Sequence, residues 1–192
     1  MLAERKGLIR VRDAQAIGVH PEYLRRLVVR GEMTRVGRGL YTLAGAPVTE
    51  NHSLAQACAR VPHAVVCLLT ALRFHNLGTQ NPADVWLAID RKAALPRLDY
   101  PPLRIVRFGK AAMLQGVAEH RLEGVRVRVT TPPRTVVDCF KYRNKIGLDV
   151  ALEALSSCRR RRDCKLDDVW RFATQQRVAR VMRPYLEAYT AL

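Results

Sequence analysis

The chain has 192 residues, and 48% of them are hydrophobic, which is enough for a buried core and excludes a disordered chain. Its 33 lysines and arginines outnumber 17 aspartates and glutamates, so the formal net charge is +16. A charge of this size indicates an anionic partner, and nucleic acid fits better than an anionic membrane surface.

The sequence contains no segment that predicts a membrane or secreted protein. No apolar run approaches the roughly 20 residues of a membrane span, and the first residues, MLAERKG, lack the apolar core of a signal peptide. The cysteines are odd in number and form no CxxC pair, which is atypical of a zinc ribbon. We expect a cytoplasmic protein without cofactor or metal, whose cysteines are reduced and mostly buried.

The N-terminal segment predicts a helix-turn-helix. A short first helix is expected over residues 2–6 and a second over 13–17, which Gly18 can end in a left-handed conformation. A third helix is expected over 21–30, because Pro21 at the first helical position needs no amide hydrogen. Two helices joined by a short turn form this motif.

A predicted hairpin follows the third helix. Met33–Val36 and Leu40–Leu43 read as short strands around Gly37-Arg38-Gly39, where glycine permits a tight turn. With the preceding helices, this hairpin predicts an N-terminal winged helix over residues 1–45.

The third helix has one apolar face and one basic face. At about 100° per residue, Leu24, Leu27 and Val28 cluster together, and the charged residues lie opposite. A helix fits the major groove, where arginine can donate two hydrogen bonds to guanine, and a hairpin tip can reach the adjacent backbone. The alternative is a solvated helix face without a partner. The candidate DNA-binding residues of this domain are His20, Glu22, Tyr23, Arg25, Arg26, Arg30, Arg35 and Arg38.

Residues 46–192 predict a second domain of mixed helices and strands, after a linker at 44–47. Their formal charge is +11, against +5 for residues 1–45, so this domain is basic in its own right. Strands are expected at Val85–Ile89, Leu103–Phe108, Val117–Leu122 and Val125–Thr130, and helices at 51–60, 68–77, 133–142, 148–160, 166–175 and 178–190. The predicted class is therefore α+β, with a winged helix-turn-helix and a mixed α/β C-terminal domain.

Two further basic segments are candidates for phosphate contacts. In Val125–Thr130, alternation would bury the valines and place Arg126 and Arg128 on the outer face, so both join the candidate DNA-binding residues. A solvated sheet edge is the alternative. The cations at 141, 143 and 145 surround a predicted helix end, where a structural role is as much expected as a DNA contact. The run Arg159–Arg162 lies near another predicted helix end, where a solvated surface is the usual alternative to phosphate contact.

An enzymatic alternative rests on one pattern. Asp84 with Asp90, Arg91 and Lys92 is similar to the carboxylates and lysine of metal-dependent nucleases, where the acids hold Mg²⁺. The sequence shows no phosphate-binding loop, catalytic serine signature or metal-ligand cluster. We therefore expect no catalytic residues and keep a DNA-processing enzyme as the alternative function.

The stretches LVVRGEMTRVGRGLYTL, LLTALRFHNLGTQNP and TPPRTVVDCFKYRNKIGLDVALEAL resemble the AbiEi-type antitoxins of bacterial abortive-infection, type IV toxin–antitoxin systems. The resemblance implies a repressor that binds inverted repeats of double-stranded DNA in its own promoter. It also implies functional antagonism of a nucleotidyltransferase-like toxin without a stable complex. An RNA-binding or direct toxin-binding module is a weaker alternative.

Overall fold

The computed structural model describes residues 7–47 and 49–190, with side chains described to residue 188. The chain forms two compact units. Among the described residues, the first unit comprises 7–47, 49–63, 96–101 and 119–127, and the second comprises 64–95, 102–118 and 128–190. The first unit thus extends past the boundary predicted at residue 45 and includes two later segments. The helix predicted over residues 2–6 lies outside the described residues.

The first unit confirms the predicted order of two helices and a hairpin. Its elements are β1 (Ile9–Arg10), α1 (Val11–Gln15), α2 (Pro21–Val29), β2 (Met33–Gly37), β3 (Leu40–Leu43) and α3 (His52–Arg60). The α2 helix ends where expected, because Gly31 takes a φ of 74° that other residues adopt only with strain.

A small antiparallel sheet supports these helices. Its strand order is β1-β3-β2, with Arg35 opposite Tyr41 and Ile9 on the other side of the same tyrosine. Leu24 and Leu27 of α2 are buried in a cluster that also contains Ile9 and Tyr41. The predicted apolar face of the third helix is therefore its packing face.

The second unit is a mixed sheet with helices. Its elements are β4 (Val65–Val66), α4 (Leu68–His75), β5 (Val85–Asp90), β6 (Leu103–Phe108), β7 (Val117–Leu122), β8 (Val125–Thr130), α5 (Pro132–Lys141), α6 (Arg143–Ile146), α7 (Leu148–Arg159), α8 (Leu166–Gln175) and α9 (Ala179–Thr190). The strand order is β6-β5-β4-β8-β7. The pairs β4–β8 and β5–β6 are parallel, whereas β4–β5 is antiparallel. The tip of the β7–β8 hairpin, residues 119–127, belongs to the first unit.

The predicted α+β class is confirmed. The predicted strands β5 to β8 are present to within one residue, and the predicted helices α7 to α9 are present with small shifts at their ends. The sequence analysis missed β1, β4 and α6, which are only two to four residues long. In α5, Pro132 occupies the first helical turn, as expected. The packed centre of the second unit includes Phe140, Leu155 and Met182, none of which is more than marginally exposed.

The expectation of five reduced cysteines is wrong for two of them. Cys158 and Cys164 form a disulfide, with their Cα atoms 5.2 Å apart. The turn after α7 brings them together, and no pattern in the sequence marked the pair. Cys58, Cys67 and Cys139 are buried free thiols, as expected. Burial raises the pKa of Cys58 to about 12, so this thiol stays protonated and unreactive at neutral pH.

Over residues 7–47 and 49–190, no helix combines the length and apolar character needed to cross a bilayer.

Candidate nucleic-acid interface

The α2 helix begins at the residues that the sequence suggested. His20 is the N-cap, and its Nδ1 accepts a hydrogen bond from the Glu22 amide at 3.2 Å. Pro21 occupies the first helical turn and loses no hydrogen bond there. The His20 side chain therefore has a structural partner in this structure, in addition to any contact with DNA.

The opposite face of α2 is exposed and mostly basic. The exposed side chains on this helix and its C-cap are Glu22, Tyr23, Arg25, Arg26, Val29 and Arg30. Arg25 lies 3.5 Å from Glu22, and Arg30 lies 4.0 Å from Glu32. Both pairs are largely solvated, and exposed pairs of this kind contribute roughly 0–1 kcal/mol. Within the described part of the chain, the Arg26 side chain has neither an ion pair nor a hydrogen bond. These guanidinium groups can therefore exchange solvent or a weak partner for phosphate or base at little cost.

The hairpin after α2 presents Arg38 at its tip. The adjacent Gly39 has a φ of 68°, which the tight turn requires. Arg35 donates from Nε to the carbonyl of Gly37 at 3.3 Å and is exposed. The Arg38 side chain is exposed, so a cation projects from the tip into solvent.

Arg60 fixes this tip, and the sequence analysis did not identify it. Its Nη1 donates to the Arg38 carbonyl at 3.0 Å, and the Val11 amide donates to the Gly39 carbonyl at 3.0 Å. A lone arginine at the end of α3, far along the chain from the hairpin, gives no local signal of this contact. It is a positioning residue for the tip.

Residues 119–127 form hydrogen bonds with the N-terminal segment within the first unit. The Glu123 carboxylate accepts hydrogen bonds from Thr49 Oγ1 at 2.6 Å and contacts His52 Nδ1 at 2.7 Å. Its carbonyl accepts from the Leu8 amide at 2.8 Å. A Cβ at Gly7 would lie 2.1 Å from that carbonyl oxygen, so glycine is needed there. The predicted DNA-binding segment therefore depends on partners that are far away in sequence.

Strand β8 has the predicted alternation, but its arginines have protein partners. Val125, Val127 and Val129 are buried. The exposed Arg126 pairs with Glu119, and the half-buried Arg128 donates to the carbonyl of Met113. A DNA contact by Arg126 would have to displace a solvated ion pair, whereas one by Arg128 would also remove a backbone hydrogen bond. DNA contact at both residues remains a prediction.

Some cations of the other basic segments form hydrogen bonds within the protein. Arg161 donates twice to Asp163, at 2.7 and 2.8 Å, and once to the carbonyl of His75. Lys141 donates to Gln176 at 2.8 Å, and burial lowers its pKa. Arg160 and Arg162 are exposed members of the run and remain candidates for contact with an anionic partner.

A buried ion pair in the second unit was not foreseen. Arg134 donates from Nε to Asp138 at 2.9 Å, and both residues are almost completely buried. The guanidinium also donates to the carbonyls of Gln115 at 2.6 Å and Ala112 at 3.4 Å. Burial raises the pKa of Asp138, which the Arg134 charge partly offsets. The i, i+4 spacing on α5 was the available signal, but charged residues on a helix are usually solvated.

The proposed nuclease pattern is not assembled. Asp84 immediately precedes strand β5 and Asp90 is its last residue, so the two are about 20 Å apart along it. Asp84 accepts from Arg104 Nε at 2.6 Å, and Asp90 accepts from the Lys92 amide at 2.9 Å. In the described part of the chain, no group of three or more potential ligands could hold a metal ion. The two carboxylates are therefore too far apart along the strand to bind one Mg²⁺ together.

Comparison with known proteins supports part of this interpretation. Residues 1–44 match the family described as transcriptional regulator, AbiEi antitoxin. The resemblance found in the sequence is thereby confirmed over those residues. A comparison with curated proteins finds no match.

One solved structure with a similar fold is the crystal structure of the RV2827C protein from Mycobacterium tuberculosis. The two chains have 13% sequence identity and superpose with a TM-score of 0.58. The match covers 88% of this chain and 66% of that chain. At this identity the likeness shows the fold alone.

Proposed function

We propose that this protein is a sequence-specific DNA-binding antitoxin that represses its own type IV toxin–antitoxin operon in the cytoplasm. The observation that carries the proposal is the α2 helix, which buries Leu24 and Leu27 and exposes Arg25, Arg26 and Arg30. The family match over residues 1–44 supports a regulator of this kind.

The dimensions of α2 suit the major groove. An α-helix with its side chains is about 10–12 Å in diameter, which matches the groove width of about 12 Å. The nine residues of α2 extend about 14 Å along the helix axis. Arg25, Arg26 and Arg30 would read guanines or clamp phosphates, and Arg38 on the hairpin would contact the adjacent backbone. The remaining candidates, His20, Glu22, Tyr23 and Arg35, border this surface.

Footprinting on the DNA upstream of the gene tests the proposal. We expect protection of an inverted repeat, and an Arg26→Ala loss of about 1–3 kcal/mol in affinity for it if this side chain reads a base. Arg171→Ala is the control, because it removes another exposed arginine, one that lies on α8 and not on α2. Equal affinity for the operator and for a scrambled duplex would refute sequence-specific binding.

The second domain should add to DNA affinity through its positive charge. Each phosphate contact contributes about 0.9 to the slope of log K against log salt. Because Arg126 is exposed and Arg128 is tied to a carbonyl, Arg126→Ala should flatten the slope more than Arg128→Ala does. An unchanged slope and affinity in the double variant would show that this strand does not contact DNA.

The antitoxic partner is proposed to be a nucleotidyltransferase-like toxin encoded beside this gene. We expect functional antagonism without a stable complex between the two proteins. Co-expression followed by size-exclusion chromatography is the measurement. Co-elution that survives high salt would contradict a type IV mechanism.

A further inference from the structure

Val29 is exposed in an unusual place. Its side chain is 88% exposed, more than any other large hydrophobic residue in the described part of the chain. It is the last residue of α2, and Val28 beside it is half buried. Exposed single apolar residues are common on protein surfaces, so exposure alone identifies no site. The neighbours of Val29 supply the second observation.

Val29 lies within the basic face of α2. It follows Arg25 by four residues and Arg26 by three, which places it beside both on a helix surface. Together with Glu22 and Arg30, these residues line one shallow groove on the helix. A partner that complements this surface has anionic groups opposite the arginines and one apolar group opposite the valine. A protein or second-copy partner would have to desolvate the arginines around the same valine.

We propose that Val29 contacts the 5-methyl group of a thymine in the major groove and so determines a thymine in the operator. The thymine methyl is the one apolar group on the base edges of that groove, and aliphatic side chains recognise it by contact. Residues 22 and 29 are about 10 Å apart along the helix axis, so both ends of the exposed face fit one groove. This inference rests on the proposed function and adds a base preference to it.

The test is a uracil scan of the footprinted upstream duplex. Each thymine in turn is replaced by deoxyuridine, which removes only the methyl group. At one position in each half-site, we expect the unaltered protein to lose about fourfold in affinity, equivalent to about 0.8 kcal/mol for one buried methyl group. Val29→Ala should bind the original duplex about as weakly and should show no further loss on the uracil duplex at that position.

Two controls make the result specific. Leu95→Ala removes another exposed apolar side chain, one that is 62% exposed and lies outside α2, and should keep the full sensitivity to uracil. Circular dichroism should show unchanged helix content in Val29→Ala, because alanine favours helix more than valine does.

Each outcome separates the inference from the proposed function. The operator could be protected while no uracil substitution lowers affinity, or while the same substitution lowers affinity equally in Val29→Ala. Either result would overturn the role of Val29 and leave sequence-specific repression unaffected. An altered elution volume of Val29→Ala on size exclusion, with a flat scan, would assign the residue to a contact between copies of the chain instead. The absence of any footprint would refute both.

Discussion

Replacing Arg134 with methionine should destabilise the second unit by about 3–5 kcal/mol, because it leaves the Asp138 carboxylate buried without its cation. The same change removes the donors to the carbonyls of Gln115 and Ala112. Arg134→Met/Asp138→Leu removes both charges together. We expect it to remain about 1–3 kcal/mol below the unaltered protein, since the two carbonyls still lack their donor.

Urea unfolding of the full chain, followed by fluorescence, is the assay. Both tryptophans, Trp86 and Trp170, lie in the second unit, so the signal reports on the region that is changed. Arg171→Met is the control: it breaks an exposed pair with Asp168, also within one helix, and should cost less than about 1 kcal/mol.

The unfolding free energies of the single and double variants test whether the buried charge of Asp138 causes the destabilisation. A loss below about 1 kcal/mol in Arg134→Met would mean that the carboxylate is solvated or neutral when unpaired, and the buried-pair argument would fail. A double variant less stable than the single one would show that packing around α5, rather than charge, dominates.

Three further predictions follow from other contacts. Arg60→Ala should lower operator affinity about tenfold by releasing the Arg38 carbonyl, with an unchanged salt slope; a flatter slope would mean that Arg60 itself contacts phosphate. Burial raises the pKa of Asp138, so its carboxyl group binds a proton more tightly in the folded state than in the unfolded chain. The stability that this proton binding contributes is present at low pH and is lost as pH rises through the folded-state pKa of Asp138. Asp138→Asn should remove that decline from urea midpoints measured from about pH 4, the ordinary range of an aspartate, upward. Alkylation of denatured, unreduced protein should modify three thiols, and five modified thiols would contradict the disulfide. Replacing Cys158 and Cys164 with serine should lower the free energy of unfolding by about 2 kcal/mol.

Local signals in the sequence were sufficient to predict α2, its exposed face and the hairpin after it. Pro21 and Gly31 mark the ends of the helix, and Leu24 and Leu27 recur with the period of a buried face. The alternation of valine and arginine in β8 likewise predicted which side chains would be buried. Each of these features depends on residues within about one helical turn or one strand pair, so a linear pattern contains them.

Contacts between distant segments were decided only by the tertiary structure. Strand β4 has two residues and carries no period, yet it lies at the centre of the five-stranded sheet. Arg60 reaches the hairpin tip across 22 residues, and Glu123 reaches Thr49 across 74. Sequence analysis treats a charged residue as solvated by default, because only the packing of distant segments shows that such a residue is buried. For the same reason, the composition predicted an anionic partner, whereas only the fold showed which arginines are committed to carbonyls and carboxylates and which remain exposed.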